Sequence, residues 1–193
     1  MAAADLRPYY APDLPLSGII TYGSTNDVEA LMREGVAYAP LILNSYREMY
    51  GSSLINIAEY LLPKWLEDFD TQSIRCINEF QALYGFDASA VYTPRFLASL
   101  NNGTLSRDFP ALATLTAENH TGLSGHGLPA LVIQGSLDFI VTDATQTRFV
   151  KALRAKGSQT RFLIYPNVTH RFTRHAGFNA SLAWMQEQIA AGR

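Results

Sequence analysis

The chain has 193 residues, 48% of them hydrophobic, enough for one domain-sized core plus an insertion. Charged residues make up 17% and the net charge is −2, which excludes the basic footprint of a nucleic-acid binder and the polybasic arm of a membrane-surface protein. No apolar run approaches the ~20 residues of a transmembrane helix, and the single Cys76 rules out an internal disulfide.

Met1-Ala-Ala-Ala-Asp-Leu-Arg7 has neither the charged nor the apolar region of a signal peptide. Residues 2–7 read instead as the tail of a helix stopped by Pro8 and the turn-rich run to Pro15. Leu16–Tyr22 follows as a short strand, ended by Gly23-Ser-Thr-Asn-Asp27; a short apolar run bounded by Pro and Gly suits a strand buried on both faces.

From Val28 to about Gly127 the hydrophobic period becomes helical. Val28, Leu31, Met32 and Val36 recur at that spacing, then Leu54, Ile57, Ala58, Leu61 and Trp65, then Ile74, Ile77 and Phe80. Pro40 and Pro63 should begin or kink helices, and Cys76 reads as a buried thiol on an apolar helix face. A helical stretch of this length between two strands is an inserted subdomain, and its aromatic and aliphatic stripes read as helix packing.

Strand and helix then alternate. Ala130–Gln134 reads as a buried strand; Thr142-Asp143 with Gln146 resembles a capping box, opening a helix with Phe149 and Leu153 that stops at Gly157. Arg161–Tyr165 is the next buried strand, and a closing helix carries Phe178, Leu182, Met185 and Ile189 on one face. Asp138 and His170 each fall just past a strand end, where the loops of a parallel sheet converge.

A strand ending in Gly-x-x-Asp, a helix, a second strand and a His is the order in which α/β-hydrolases present the last two members of a Ser…Asp…His triad. The imidazole takes the serine proton and the carboxylate holds the imidazole's tautomer and stabilises its cation. No G-x-S-x-G turn, the usual seat of the nucleophile, occurs in the chain.

Three segments carry a closer likeness: Tyr10-Ala-Pro-Asp-Leu-Pro-Leu-Ser-Gly18; Phe109-Pro-Ala-Leu-Ala-Thr-Leu115 with Glu118-Asn119; and Leu131-Val-Ile-Gln-Gly-Ser-Leu-Asp-Phe-Ile-Val141 with Tyr165-Pro166 and His170. In them the chain resembles the C-terminal half of the secretory lipase group, the lipase A-like α/β-hydrolases with a helical cap. The resemblance implies an α/β fold: a partial α/β-hydrolase core over residues 1–27 and 128–193, holding the last strands of the sheet, with a helical cap or lid over 28–127. A cap of that kind would leave a hydrophobic cleft above the triad positions.

It further implies a carboxylic ester hydrolase, a lipase or esterase taking small-molecule ester or lipid substrates, with Asp138 as acid and His170 as base. No metal and no organic cofactor is implied. Members of the group are secreted; the nucleophile and the oxyanion donors have no counterpart here. An isolated chain would therefore hydrolyse esters slowly. The other readings are a non-catalytic remnant or interaction module with a hydrophobic pocket, and one half of an assembled hydrolase.

Ser24, past the first strand, is the possible surrogate nucleophile, although Gly23-Ser-Thr-Asn before Asp27 and Glu29 also fits helix N-cap chemistry. Ser136 reads as shaping the turn that presents Asp138, and Ser124 has no strand before it. His175 is the alternative to His170, while His120 and His126 read as exposed and without zinc partners. Four Asn-x-Ser/Thr triplets occur, at Asn102, Asn119, Asn167 and Asn179, where nine asparagines produce about one by chance; the pattern is short and a weak signal of glycosylation. If one neighbour of the Leu16–Tyr22 strand is lacking, its apolar edge favours homo-oligomers.

Overall fold

The computed structural model describes residues 1–192. Helix α1 (Ala2–Tyr10) precedes strand β1 (Ile19–Tyr22). Seven helices follow: α2 (Val28–Glu34), α3 (Ala39–Tyr50), α4 (Phe69–Gln72), α5 (Ile77–Tyr84), α6 (Pro94–Asn102), α7 (Leu105–Asp108) and α8 (Pro110–Glu118). Strand β2 (Ala130–Gly135), α9 (Asp143–Ala155), β3 (Thr160–Tyr165), α10 (Thr173–Ala176) and α11 (Phe178–Ala190) complete the chain. These elements form two compact units, Met1–Asn26 with the stretch from His120 onward, and Asp27–Asn119.

The first unit is built on a three-stranded parallel sheet in the order β1-β2-β3. Every residue of β2 is buried because the strand lies between two neighbours and has a helix on each face. Ala130 and Val132 pack with Ile19, Phe149, Val150 and Leu153, on the α9 side; Leu131 and Ile133 pack with Trp184 of α11. Strand β3 is less covered than its apolar sequence suggests. It stands at an edge, with Arg161 and Ile164 exposed, and Arg161 pairs with Glu187 of α11 at 2.7 Å.

Helix α1 does not stop at Pro8. A proline this close to a helix end forfeits one backbone bond, and Ala11 N–H still closes the last turn on Arg7 O at 2.9 Å. The Arg7 guanidinium then holds the following turn through the carbonyls of Pro12 and Leu14. Asp5 accepts from the N–H groups of Gly122 and Ser124, tying α1 to the loop before β2.

Helix α11 departs from expectation in its buried face. Phe178, Leu182, Met185 and Ile189 are all exposed, and it is Ser181 and Trp184 that turn inward. Small Ser181 admits the sheet closely, its Oγ lying 2.7 Å from the Tyr22 hydroxyl, and Trp184 fills the space against Leu131 and Ile133.

The second unit is helical, with an antiparallel bridge between Leu61 and Tyr92. Its core gathers Met32, Leu43, Ile55, Leu61, Phe80, Tyr92, Phe96 and Leu112. Pro40 stands in the first turn of α3, as a proline can at no backbone cost. The apolar run from Leu54 to Trp65 is not one helix: it breaks into 3₁₀ turns at Ile57–Glu59 and Pro63–Trp65, with Leu54 exposed. Cys76 is exposed too, because it precedes α5 rather than lying on its buried face; its N–H is taken by the Glu79 side chain at 2.9 Å. Ile74 and Ile77 are likewise exposed, and Phe80 alone of that trio is buried.

Candidate active site

Beyond Gly135 the chain turns sharply and folds back on the segment that follows β3. Ser136 N–H donates to Tyr165 O and Leu137 N–H to Val168 O, each at 2.9 Å, and Asn167 N–H donates to Ser136 Oγ at 2.9 Å. Asn167 supplies the reversal of direction with a φ of 58°, a left-handed conformation that asparagine tolerates better than other side-chain-bearing residues. The two loops are thus joined by three hydrogen bonds, and Ser136 shapes both. A side chain at Gly135 would collide with Val168 O, so the close approach requires glycine there.

This pairing brings Asp138 and His170 together, with His170 Nδ1 2.8 Å from Asp138 Oδ2. Asp138 is buried, and its other oxygen, Oδ1, accepts from Ile140 N–H at 3.0 Å and Val141 N–H at 2.9 Å. Those two bonds fix the carboxylate's plane. A carboxylate only accepts, so Nδ1 carries the shared proton and Nε2 presents its lone pair. The hydrogen bond to Asp138 raises the His170 imidazole above its ordinary pKa; burial opposes the rise and the attraction of Asp138's charge adds to it. The His170 side chain remains 38% exposed, so the ring is anchored on one side and open on the other.

Two further residues hold this arrangement and were not evident from residue type alone. Gln134, fully buried in β2, donates from Nε2 to Val141 O at 2.7 Å and so fastens the far end of the Asp138 loop. Asn167, noted only as a glycosylation triplet, is the left-handed residue of the His170 loop; an Asn following Tyr-Pro was the available signal.

Ser24 lies past β1, but its hydroxyl is 3.5 Å from Gln146 Nε2 and makes no hydrogen bond with His170. Nor does it cap α2. That role belongs to Asp27, whose Oδ1 accepts from Ala30 N–H at 2.8 Å, three residues later than the Ser24 reading placed it. Thr142 caps α9 as its sequence suggested, through Thr145 N–H; Gln146, instead of completing a capping box, reaches Ser24. Ser124 is an exposed loop residue.

His175 and His120 are exposed, whereas His126 is half-buried because its Nδ1 accepts from Leu128 N–H at 3.0 Å. Among the described residues no group of three or more His, Cys, Asp and Glu side chains is placed to hold a metal ion, and no helix is long and apolar enough to cross a membrane. A groove of about 410 Å³ is lined by Ala3, Leu6, Tyr10, Leu14 and Leu16, and neither Asp138 nor His170 lines it.

Two solved structures share this architecture. A Legionella pneumophila protein assigned as a hydrolase superposes with a TM-score of 0.69 at 15% identity, over 95% of this chain and 51% of its own. Candida antarctica lipase A superposes with a TM-score of 0.63 at 20% identity, over 98% of this chain and 45% of its own. At these identities the likeness is one of fold: an α/β fold with a small parallel sheet, the α/β-hydrolase architecture, spanning about half the length of each matched structure. No curated protein sequence matches the chain significantly. The family model of the prolyl oligopeptidase family matches residues 80–192, more than half of the chain, from within α5 through β2 and β3 to α11. The narrower lipase likeness is not what that match names: the chain belongs to the prolyl oligopeptidase family.

Proposed function

We propose that this chain supplies the acid and base of a serine hydrolase site that cleaves carboxylic esters, with His170 as the general base and Asp138 as the residue that orients it. The observation that carries the reading is the 2.8 Å contact between His170 Nδ1 and a buried carboxylate, which leaves Nε2 free to take a proton. In the reaction a hydroxyl attacks the acyl carbon as its proton passes to Nε2. The imidazolium is stabilised by Asp138 and then protonates the departing alcohol, and water repeats the sequence to release the acid.

In this reading the nucleophile and the oxyanion donors come from polypeptide outside these 193 residues, and the helical unit is a cap insertion. Ester substrates are favoured by the fold shared with a lipase and by the low charge content of the chain, 17% of its residues. The family's name favours a second acyl substrate, a peptide, and the same acid–base pair would serve both. Hydrolysis of a short-chain activated ester tests the reading, alongside labelling with a serine-directed phosphonate. The expected result is slow turnover by this chain, lowered about 10²-fold or more by His170→Ala and little changed by Ser24→Ala. Efficient turnover abolished by Ser24→Ala alone would make Ser24 the nucleophile. Turnover indifferent to His170→Ala would remove the catalytic reading and leave a binding module.

A further inference from the structure

Strand β1 ends at Tyr22, and the next residue, Gly23, is buried with a φ of 52°. Its N–H still donates to Ile133 O of β2 at 2.8 Å, so the sheet's own ladder holds its backbone in place. A Cβ at this position would stand 2.7 Å from Asp138 Oδ2 and 3.0 Å from His170 Nδ1, the two atoms that share the proton. Its next neighbour would be His170 Cε1, at 3.3 Å. The backbone at Gly23 is therefore the wall against which the acid–base pair rests.

We propose that Gly23 is a positioning residue for the Asp138–His170 pair: its missing side chain is what lets carboxylate and imidazole meet across the end of β1. The inference rests on the reading of the two residues as acid and base, and its test reads the geometry of the pair rather than turnover, so either can fail alone. A carbon at 2.7 Å from Oδ2 is inside contact distance, and Asp138 cannot retreat without breaking its bonds to Ile140 and Val141. The His170 ring, open on one side, is the group that moves. Substitution at Gly23 lengthens or breaks the shared hydrogen bond.

Gly127→Ala is the matched control, because Gly127 lies in the same unit with a φ of 67° and a Cβ there would meet nothing within 4 Å. Both variants carry the backbone penalty of a left-handed alanine; only Gly23→Ala adds a collision. Nuclear magnetic resonance of the imidazole protons, assigned by loss of signal in His170→Ala, reads the pair directly. The Nδ1 proton should be visible in the wild type and in Gly127→Ala, and lost by exchange with water in Gly23→Ala. The His170 titration midpoint should fall in Gly23→Ala alone; Arg171, Arg174 and His175 on the same segment are common to all three proteins.

Thermal unfolding supplies the second measurement. The loss in melting temperature caused by Gly23→Ala should exceed that caused by Gly127→Ala in the wild type, and should shrink to match it when Asp138→Ala and His170→Ala have cleared the space. A Gly23→Ala chain that folds only in the cleared background supports the proposal equally. An unchanged Nδ1 proton and midpoint in Gly23→Ala, or an equal penalty in both backgrounds, overturns it.

Discussion

The hydrogen bond between His170 and Asp138 ties the charge of one to the position of the other, and its sign can be tested without a substrate. The folded-state pKa of His170 is raised above the ordinary imidazole value of about 6.5, chiefly by that bond. The stability it contributes is therefore complete below the unfolded-state value and is lost as pH rises through the folded-state value. Asp138→Asn keeps an Oδ1 acceptor for Ile140 and Val141 and removes the charge beside the imidazole. We expect the wild type's advantage over Asp138→Asn in urea unfolding to be largest in mild acid and to narrow toward alkaline pH. The His170 midpoint should fall in the variant; a gap that widens with pH would contradict the assignment. Cys76 gives an independent check: exposed at the start of α5, it should react stoichiometrically with a thiol reagent in the native protein, without denaturant.

At the level of elements, Tyr92 shows how a single side chain holds helices in register. Its ring is buried among Met32, Phe96 and their neighbours, and its hydroxyl lies 2.6 Å from Met32 O and 3.1 Å from Val36 O, carbonyls at and just beyond the end of α2. Burial raises the phenol's pKa, which keeps it a donor at any ordinary pH. Tyr92→Phe preserves the packing and orphans Met32 O, while Val36 O keeps its bond from Ala39 N–H, so it should cost about 1–3 kcal/mol in chemical denaturation. The same scale shows what could be read in advance. Strand β2 and helix α9 were legible because a strand buried on both faces is continuously apolar and because Thr142 is a strong cap. The closeness of Asp138 and His170 follows from adjacent parallel strands. The segment from Leu54 to Trp65 misled because successive 3₁₀ turns also repeat near every third residue. Helix α11 misled because periodicity counts apolar residues and says nothing of which neighbours are present to cover them. Gln134 was invisible for a related reason: a glutamine within an apolar strand shows its purpose only once Val141 O is seen to need a donor.

For the molecule as a whole, the question is what becomes of the apolar surface that the first unit leaves open. Ile19 and Gly23 turn their N–H groups toward Pro129, just before β2, and Ile133 within it, and strand alternation directs those of Ile20 and Tyr22 to the open side of the sheet. Close by in sequence lies the groove of Leu6, Tyr10, Leu14 and Leu16, with Tyr10 82% and Leu14 62% exposed. An unpaired edge beside apolar side chains is a template for another strand. Because the net charge is only −2, little repulsion opposes association. We therefore expect light scattering to give a mass that rises above 21.3 kDa with increasing concentration. Leu14→Lys with Leu16→Lys should suppress the rise, since charged residues beside an edge penalise pairing without touching the buried sheet. If the doubly substituted chain still associates while Leu182→Glu in α11 prevents it, the exposed stripe of that helix is the contact instead. A mass constant at 21.3 kDa over the whole range would mean that the edge attracts no second copy.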